Sequence, residues 1–403
     1  MNIFERIYCR TYQFILNKIA MPLVKFPSQE LFKGNSSLLN MGKYLKEKGY
    51  KRPFLLISKS VLSSSYGEKI ISSLKENVDE IYIYSKVEQN PEFGNILEAK
   101  KEALSFKNDS IIAIGGGSVI DEAKALGALL ANKKKDLYSF KGLLKVRKRY
   151  PMLIVAPSTC GSGSEATIAS VITSKENKDK FAINSPKILP NVVYLDDELL
   201  RSLPQRIIAN TGMDALTHAV EAYVGNALTK ETRAYAEEAI SLISKSLYSF
   251  YLDQNNAEAR KNMLEASYLA GKAFTRSYVG YVHAIAHSLG GYYNLPHGYA
   301  NAVILPLILT KYGKSASKKL SYLAELIKLK GEGSKAFIEY IKELNQKMGI
   351  GEKFVSVIET KDIPSLAKHA TKEANPLYPV PKEFDRFELE EIIKELSSNG
   401  SGK

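Results

Sequence analysis

The chain has 403 residues, 45% of them hydrophobic and 25% charged, and a formal net charge of +13. This length and balance fit a globular protein with a large core and room for two domains. Two cysteines, Cys9 and Cys160, exclude a disulfide framework and a cysteine-built zinc site, and they point to a reducing, cytoplasmic compartment. No apolar run reaches 18 residues, which argues against a membrane-spanning helix. The lysines are spread along the chain without a dense basic–aromatic module, so a solvated basic surface is the plainer reading and no nucleic-acid partner is expected.

In chain order, residues 1–26 are apolar and basic, but Glu5, Arg6, Arg10, Gln13 and Lys18 interrupt any signal-peptide core. Their apolar residues recur at roughly helical spacing, which predicts a helical extension packed on the body of the protein or on a partner subunit; membrane-surface association is the other reading. Over 27–200 the pattern is α/β. A short helix ends at Gly49, a buried strand runs over 53–58, and a helix reaches about residue 76. A strand follows at 81–85, then a turn at Asn90-Pro91, a helix at 92–106, a strand at 110–118 running into glycines, a helix at 121–132 and a strand at 152–158. Such alternation implies a parallel sheet with helices on its faces. Past Pro204 strand signals nearly vanish. Helices are predicted at 205–225, 230–252, 256–275, 278–291 and 300–311, with more to about 396, which makes 201–396 an all-helical domain. The tail 397–403, SSNGSGK, is expected to be disordered.

Three motifs carry chemistry. Gly115-Gly116-Gly117 followed by Ser118 lies between a strand and a helix, where backbone can approach a phosphate and the helix N-terminus favours an anion. Ser118 is a candidate cap, with Asp121 at capping-box spacing; a tight turn with an ordinary cap is the bland alternative. PSTCGSGSE at 157–165 interleaves hydroxyls and glycines, which suits either a polar ligand pocket or a flexible loop. Finally, four of the five histidines fall in two stretches. Asp214 and His218 stand at i and i+4, as do His283 and His287, and His297 follows a Leu-Pro break. Residues four apart share one helix face, and aspartate with histidine suits a borderline divalent cation.

IIAIGGGSVIDEAKA (111–125), PSTCGSGSEAT (157–167), GMDALTHAVEAY (212–223) and YVHAIAHSLGGYYNLPHG (281–298) together resemble the iron-dependent (group III) alcohol dehydrogenase family of the dehydroquinate synthase-like superfamily, over about 30–396. The resemblance implies an α/β dinucleotide-binding domain with a parallel sheet, an all-α metal-binding domain, and a cleft between them. Metal ligands would be Asp214, His218, His283 and His297, holding Fe²⁺ or Zn²⁺. His287 would relay a proton. Gly115, Gly116, Gly117 and Ser118, with Asp121 beside them, would hold the cofactor pyrophosphate. Ser158 and Thr159 would line the nicotinamide, Asn90 the nucleotide cleft and Lys180 the ribose region. The implied reaction is hydride transfer between a small alcohol or aldehyde and a nicotinamide, in a homodimer. Polyol or polyol-phosphate dehydrogenases and lyases of the same fold are the rival activities.

Two departures from the family pattern bear on specificity. Where many members carry an aspartate after the first strand, this chain has Lys59, which favours NADP(H) over NAD(H) unless it is merely a solvated lysine. Arg276 replaces a frequent asparagine seven residues before His283, a spacing that suggests a shared helix face. With Phe274 it is a candidate substrate contact; pairing with a neighbouring acid is the alternative.

Overall fold

The computed structural model describes residues 1–88, 90–174 and 179–397, with backbone alone at 174, 179 and 180. Two compact units emerge, neither of them a single stretch of chain. Lys25–Leu203 groups with Gln254–Tyr268, and Met1–Val24 groups with Pro204–Asp253 and the chain from Leu269 on.

The first unit holds nine strands among the described residues: β1 (Glu30–Lys33), β2 (Pro53–Ile57), β3 (Tyr82–Tyr84), β4 (Ser110–Gly115), β5 (Gly142–Leu143), β6 (Leu153–Pro157), β7 (Ala169–Ser174), β8 (Asp179–Asn184) and β9 (Val192–Leu195). Six form an all-parallel sheet in the order β1-β9-β6-β4-β2-β3. β2, β4 and β6 are buried along their whole length, which is why they read as unbroken apolar runs. The sequence reading missed β1 and β9. β1 is a mostly exposed edge strand with no apolar run, and β9 is only four residues long. It also missed the small sheet β5-β8-β7, in which β7 and β8 are antiparallel.

From β2 the chain steps one way to β3, then crosses back so that β4, β6 and β9 lie on the other side. The order reverses between β2 and β4, and in open α/β sheets ligands bind outside the carboxyl ends of the strands at such a point. The helix Gly117–Ala131 leaves β4 there and is buried almost throughout, even at Glu122 and Lys124. Lys124 Nζ donates to Ser164 Oγ and Thr167 Oγ1, both at 3.0 Å, and to the Ala169 carbonyl at 2.8 Å, which ties the helix to the 164–169 segment.

The second unit is helical: Gln205–Val224, Lys230–Leu252, Tyr281–Tyr293, His297–Tyr312, Lys314–Leu326, Gly333–Lys347, Ile363–Ala374 and Arg386–Leu396, with the latter part of Ala257–Ser277. The N-terminal helix Ile3–Phe14 belongs here too and continues through a wide-turned stretch, Ile15–Ala20, to Leu23. Among the described residues no helix is long and apolar enough to cross a membrane.

Two expectations need correction. Arg276 and His283 do not share a helix: the chain breaks between Ser277 and Tyr281, with Tyr278 in the left-handed region at φ 63°. The expected disorder cannot begin at 397, because Ser397 is buried and bridges to Phe354; residues 398–403 lie outside those described.

Candidate functional site

Three helices of the second unit bring the histidine block together. Gln205–Val224 carries Asp214 and His218 on one face, Tyr281–Tyr293 carries His283 and His287, and His297 is the first residue of His297–Tyr312. Gly298 permits this packing. A Cβ there would lie 2.0 Å from the Asn210 carbonyl oxygen and 3.2 Å from Asp214 Cβ, so only glycine lets His297 come down beside Asp214.

Ligand atoms of Asp214, His283 and His297 all lie within 4.8 Å of one another. Asp214 Oδ1 is 3.5 Å from His297 Nε2 and 3.8 Å from His283 Nε2. His218 stands alongside this tighter trio. Its Nδ1 is 3.8 Å from the same Asp214 oxygen, and its ring lies 4.4 Å from that of His283. On its other side Phe274 stacks at 4.2 Å and 13°.

A second layer orients the trio. Glu221 accepts from the backbone N–H groups of Gly280 and Val282, each at 2.8 Å, and its Oε2 lies 2.6 Å from His283 Nδ1. When Glu221 is ionised, that contact keeps the proton on Nδ1 and turns the Nε2 lone pair towards Asp214. Asn301 Nδ2 donates to Asp214 Oδ1 at 2.8 Å and reaches the Nε2 atoms of His283 and His297 at 3.2 Å. Three acceptor atoms therefore aim at one place, as coordination of a cation requires. Burial pushes the Asp214 carboxyl up, and it drives His283 well below the usual imidazole range, helped by the neighbouring histidines. Burial also lifts Glu221 to about 8. A carboxylate with imidazoles converging on it fits Fe²⁺ or Zn²⁺.

His287 projects one turn further on. Its Nδ1 is 2.6 Å from Glu373 Oε1, which also accepts from the Tyr378 hydroxyl at 2.8 Å. The His287 ring stacks on His297 at 5.0 Å. Arg276 Nη1 meets Glu231 Oε2 at 2.6 Å, both side chains partly exposed.

Within the first unit, the Ser158 N–H donates to the Gly115 carbonyl at 2.9 Å and sets Ser158 and Thr159 beside the glycine run. The expected capping box does not form. The helix begins at Gly117 with Gly116 as its N-cap, so Ser118 falls inside the first turn, and no side chain caps it. Asp121 is engaged elsewhere: it accepts from the Val171 N–H at 2.9 Å and from the Ser164 hydroxyl, bracing the helix against β7 and its approach. A helix start without a side-chain cap suits an anionic group. Lys59 is exposed at the start of the short helix Lys59–Leu62, just past β2. The preceding Ser58 N–H donates to the Ile114 carbonyl of β4 at 3.0 Å. Asn90 is exposed in a bend, and the Lys180 side chain lies outside the described residues.

Comparison with known proteins bears on both halves. Residues 28–197 match the model for iron-containing alcohol dehydrogenase, and residues 208–397 match that for the C-terminal part of the Fe-containing alcohol dehydrogenase family. The chain belongs to the iron-containing alcohol dehydrogenase family. It is 34% identical over 366 residues to alcohol dehydrogenase 4 of Saccharomyces cerevisiae, covering 90% of this chain and 95% of that protein. It is 34% identical over 374 residues to a 1,3-propanediol dehydrogenase of Citrobacter freundii, covering 90% and 96%. The solved alcohol dehydrogenase of Oenococcus oeni superposes with a TM-score of 0.87 at 31% identity, covering 93% of this chain and all of that one. The protein is thus a metal-dependent, NAD(P)-linked alcohol dehydrogenase, an oxidoreductase of small alcohols or aldehydes.

Glu221, Asn301 and Glu373 were not anticipated from sequence. Glu221 stands seven residues after Asp214, and Asn301 four after His297, so helical spacing flags both. Glu373 carries no such signal.

Proposed function

We propose that this dehydrogenase interconverts a small alcohol and its aldehyde with NADP(H) as the preferred hydride carrier, using a cation held by Asp214, His218, His283 and His297. The observation that carries this reading is the convergence of ligand atoms of buried Asp214 and His283 and half-buried His297 within 4.8 Å, with Glu221 beside His283 Nδ1. A bound Fe²⁺ or Zn²⁺ supplies Lewis acidity towards the substrate oxygen, and the nicotinamide supplies the hydride-exchanging carbon. The rest is work for the chain's own residues. Glu373 keeps the His287 proton at Nδ1, so Nε2 takes up the hydroxyl proton on oxidation and returns it on reduction. Phe274 stacks on the ring of His218 and fixes its orientation.

Gly115, Gly116, Gly117 and Ser118 receive the pyrophosphate at the helix start, Ser158 and Thr159 line the nicotinamide, and Asp121 braces the loop around them. Asn90 and Lys180 contribute at the nucleotide. Support for NADP(H) comes from Lys59: it follows β2 where the strand order reverses, next to the glycine turn, and a cation there attracts a 2′-phosphate. Similar proteins include an NADPH-dependent butanol dehydrogenase of Clostridium saccharobutylicum and an NAD-dependent methanol dehydrogenase of Bacillus methanolicus, so family membership leaves the choice to such residues. The Arg276–Glu231 pair favours a structural role for Arg276 over a substrate contact. Two buried cysteines outside any disulfide support a reducing, cytoplasmic setting, and the family resemblance supports a homodimer.

The test is turnover of short aldehydes after anaerobic reloading with Fe²⁺ or Zn²⁺, with NADPH and NADH compared. Metal-dependent activity that prefers NADPH, with the preference reduced about tenfold by Lys59→Ser, is the expected result. Equal or better use of NADH would sink the cofactor assignment, and activity independent of metal would sink the ligand set.

A further inference from the structure

The N-terminal helix wears its apolar side outward. Its inner side is polar and fully engaged: the Met1 amine pairs with Asp385, and Arg10 pairs with Glu383. Arg10 also donates to the carbonyls of Val380 at 2.8 Å and Pro381 at 3.1 Å, and Gln13 donates to those of Tyr378 at 2.8 Å and Pro376 at 3.2 Å. Cys9 and Gln13 are the buried residues of Ile3–Phe14. These anchors fix the rotation of the helix, so its other face is displayed by construction and is not a loose tail. That face carries Phe4 (80% exposed), Ile7, Tyr8, Phe14, Ile15 and Ile19, each more than half or about half exposed. A contiguous apolar stripe of this size on an otherwise charged protein marks an interaction surface.

We infer that this helix lays its apolar face on an anionic lipid surface. The charges around the stripe identify the occupant. Lys18 is exposed at its margin, Lys25 is exposed just past the end of the helix in sequence, and Glu5 is the sole acid among the first 29 residues. Basic residues flanking an apolar face that includes aromatics describe a helix lying in the headgroup region, where lipid phosphates neutralise the cations. A second copy seated on the same face would bring an identical basic rim against this one, with only Glu5 to answer it, and the chain's net charge of +13 adds to that repulsion. The helix precedes residue 28, where the family match begins, so docking adds to the catalytic body without drawing on it and stands apart from the assignment of the reaction.

Flotation of the full-length, metal-loaded protein with vesicles tests this, comparing phosphatidylcholine alone with phosphatidylcholine containing phosphatidylglycerol. The expected result is binding to the anionic vesicles only, weakened by salt, and reduced about tenfold or more in a Phe4→Ser/Ile7→Ser double variant whose aldehyde turnover in solution is unchanged. Absence of binding overturns the inference. So does undiminished binding of the double variant, which assigns the attraction to the basic surface at large. A drop in oligomeric state of the variant by light scattering, without vesicle binding by the parent, overturns it in favour of a second copy.

Discussion

The metal cluster and the glycine turn prepare for their ligands in opposite ways. At the cluster, side chains would do the binding: Asp214 and His283 are buried, His297 is half-buried, and Glu221 and Asn301 orient them. At the turn, side chains are kept out so that backbone N–H groups at the start of Gly117–Ala131 can approach an anion. The cluster should therefore fail when an atom is removed, and the turn when one is added.

His283→Ala removes a proposed ligand and the ring through which Glu221 reaches the trio. Metal content measured by elemental analysis is expected to fall to background, with kcat/KM down on the order of a thousandfold. Retention of metal would show that the remaining three residues suffice. Glu221→Gln keeps the shape but weakens the hold on the His283 proton; metal affinity by chelator competition is expected to drop about 10- to 100-fold. Gly117→Val adds atoms where even a Cβ would lie 2.5 Å from Ser162 Oγ. Cofactor affinity, measured by fluorescence titration, should weaken about tenfold or more while metal content stays normal. Loss of metal together with cofactor would erase the contrast between the two sites.

The smallest effect concerns a buried acid that neither site uses. Glu122 is fully buried, and its two carboxylate oxygens have no hydrogen-bond partner among the described residues. Burial, with Glu88, Glu92 and Glu98 near, raises it from an ordinary 4.5 to about 8. The fold thus holds the protonated form. Its contribution to stability is complete below the ordinary value and is lost as pH rises through about 8. Glu122→Gln is neutral at every pH, so its Tm should match that of the parent near the ordinary carboxylate range and exceed it by a few degrees at alkaline pH. Equal Tm values across that range would mean that Glu122 finds a partner.

Much of the candidate metal site was legible in the chain. Spacings of four on a regular helix force Asp214 with His218, and His283 with His287, onto shared faces, and this holds in any tertiary setting. The parallel sheet announced itself where strands are wholly buried, as in PFLLI and SIIAIG, and not at the exposed edge strand β1. Glu373 was beyond reach: it stands 86 residues from His287 and meets it only because Ile363–Ala374 packs against Tyr281–Tyr293. The shared face expected of Arg276 and His283 was misread because a spacing of seven implies one only along an unbroken helix, and the break at Tyr278 lies between; the alternative, pairing with a neighbouring acid, is met by Glu231.

The N-terminal helix divides the two kinds of information most plainly. Sequence periodicity determined that its apolar residues would gather on one face, since backbone geometry alone makes residues three and four apart neighbours. It was silent on which way that face would turn. Tertiary structure decided this, because Asp385, Glu383 and the carbonyls of 376–381 offer partners that Met1, Arg10 and Gln13 can satisfy only from the opposite side.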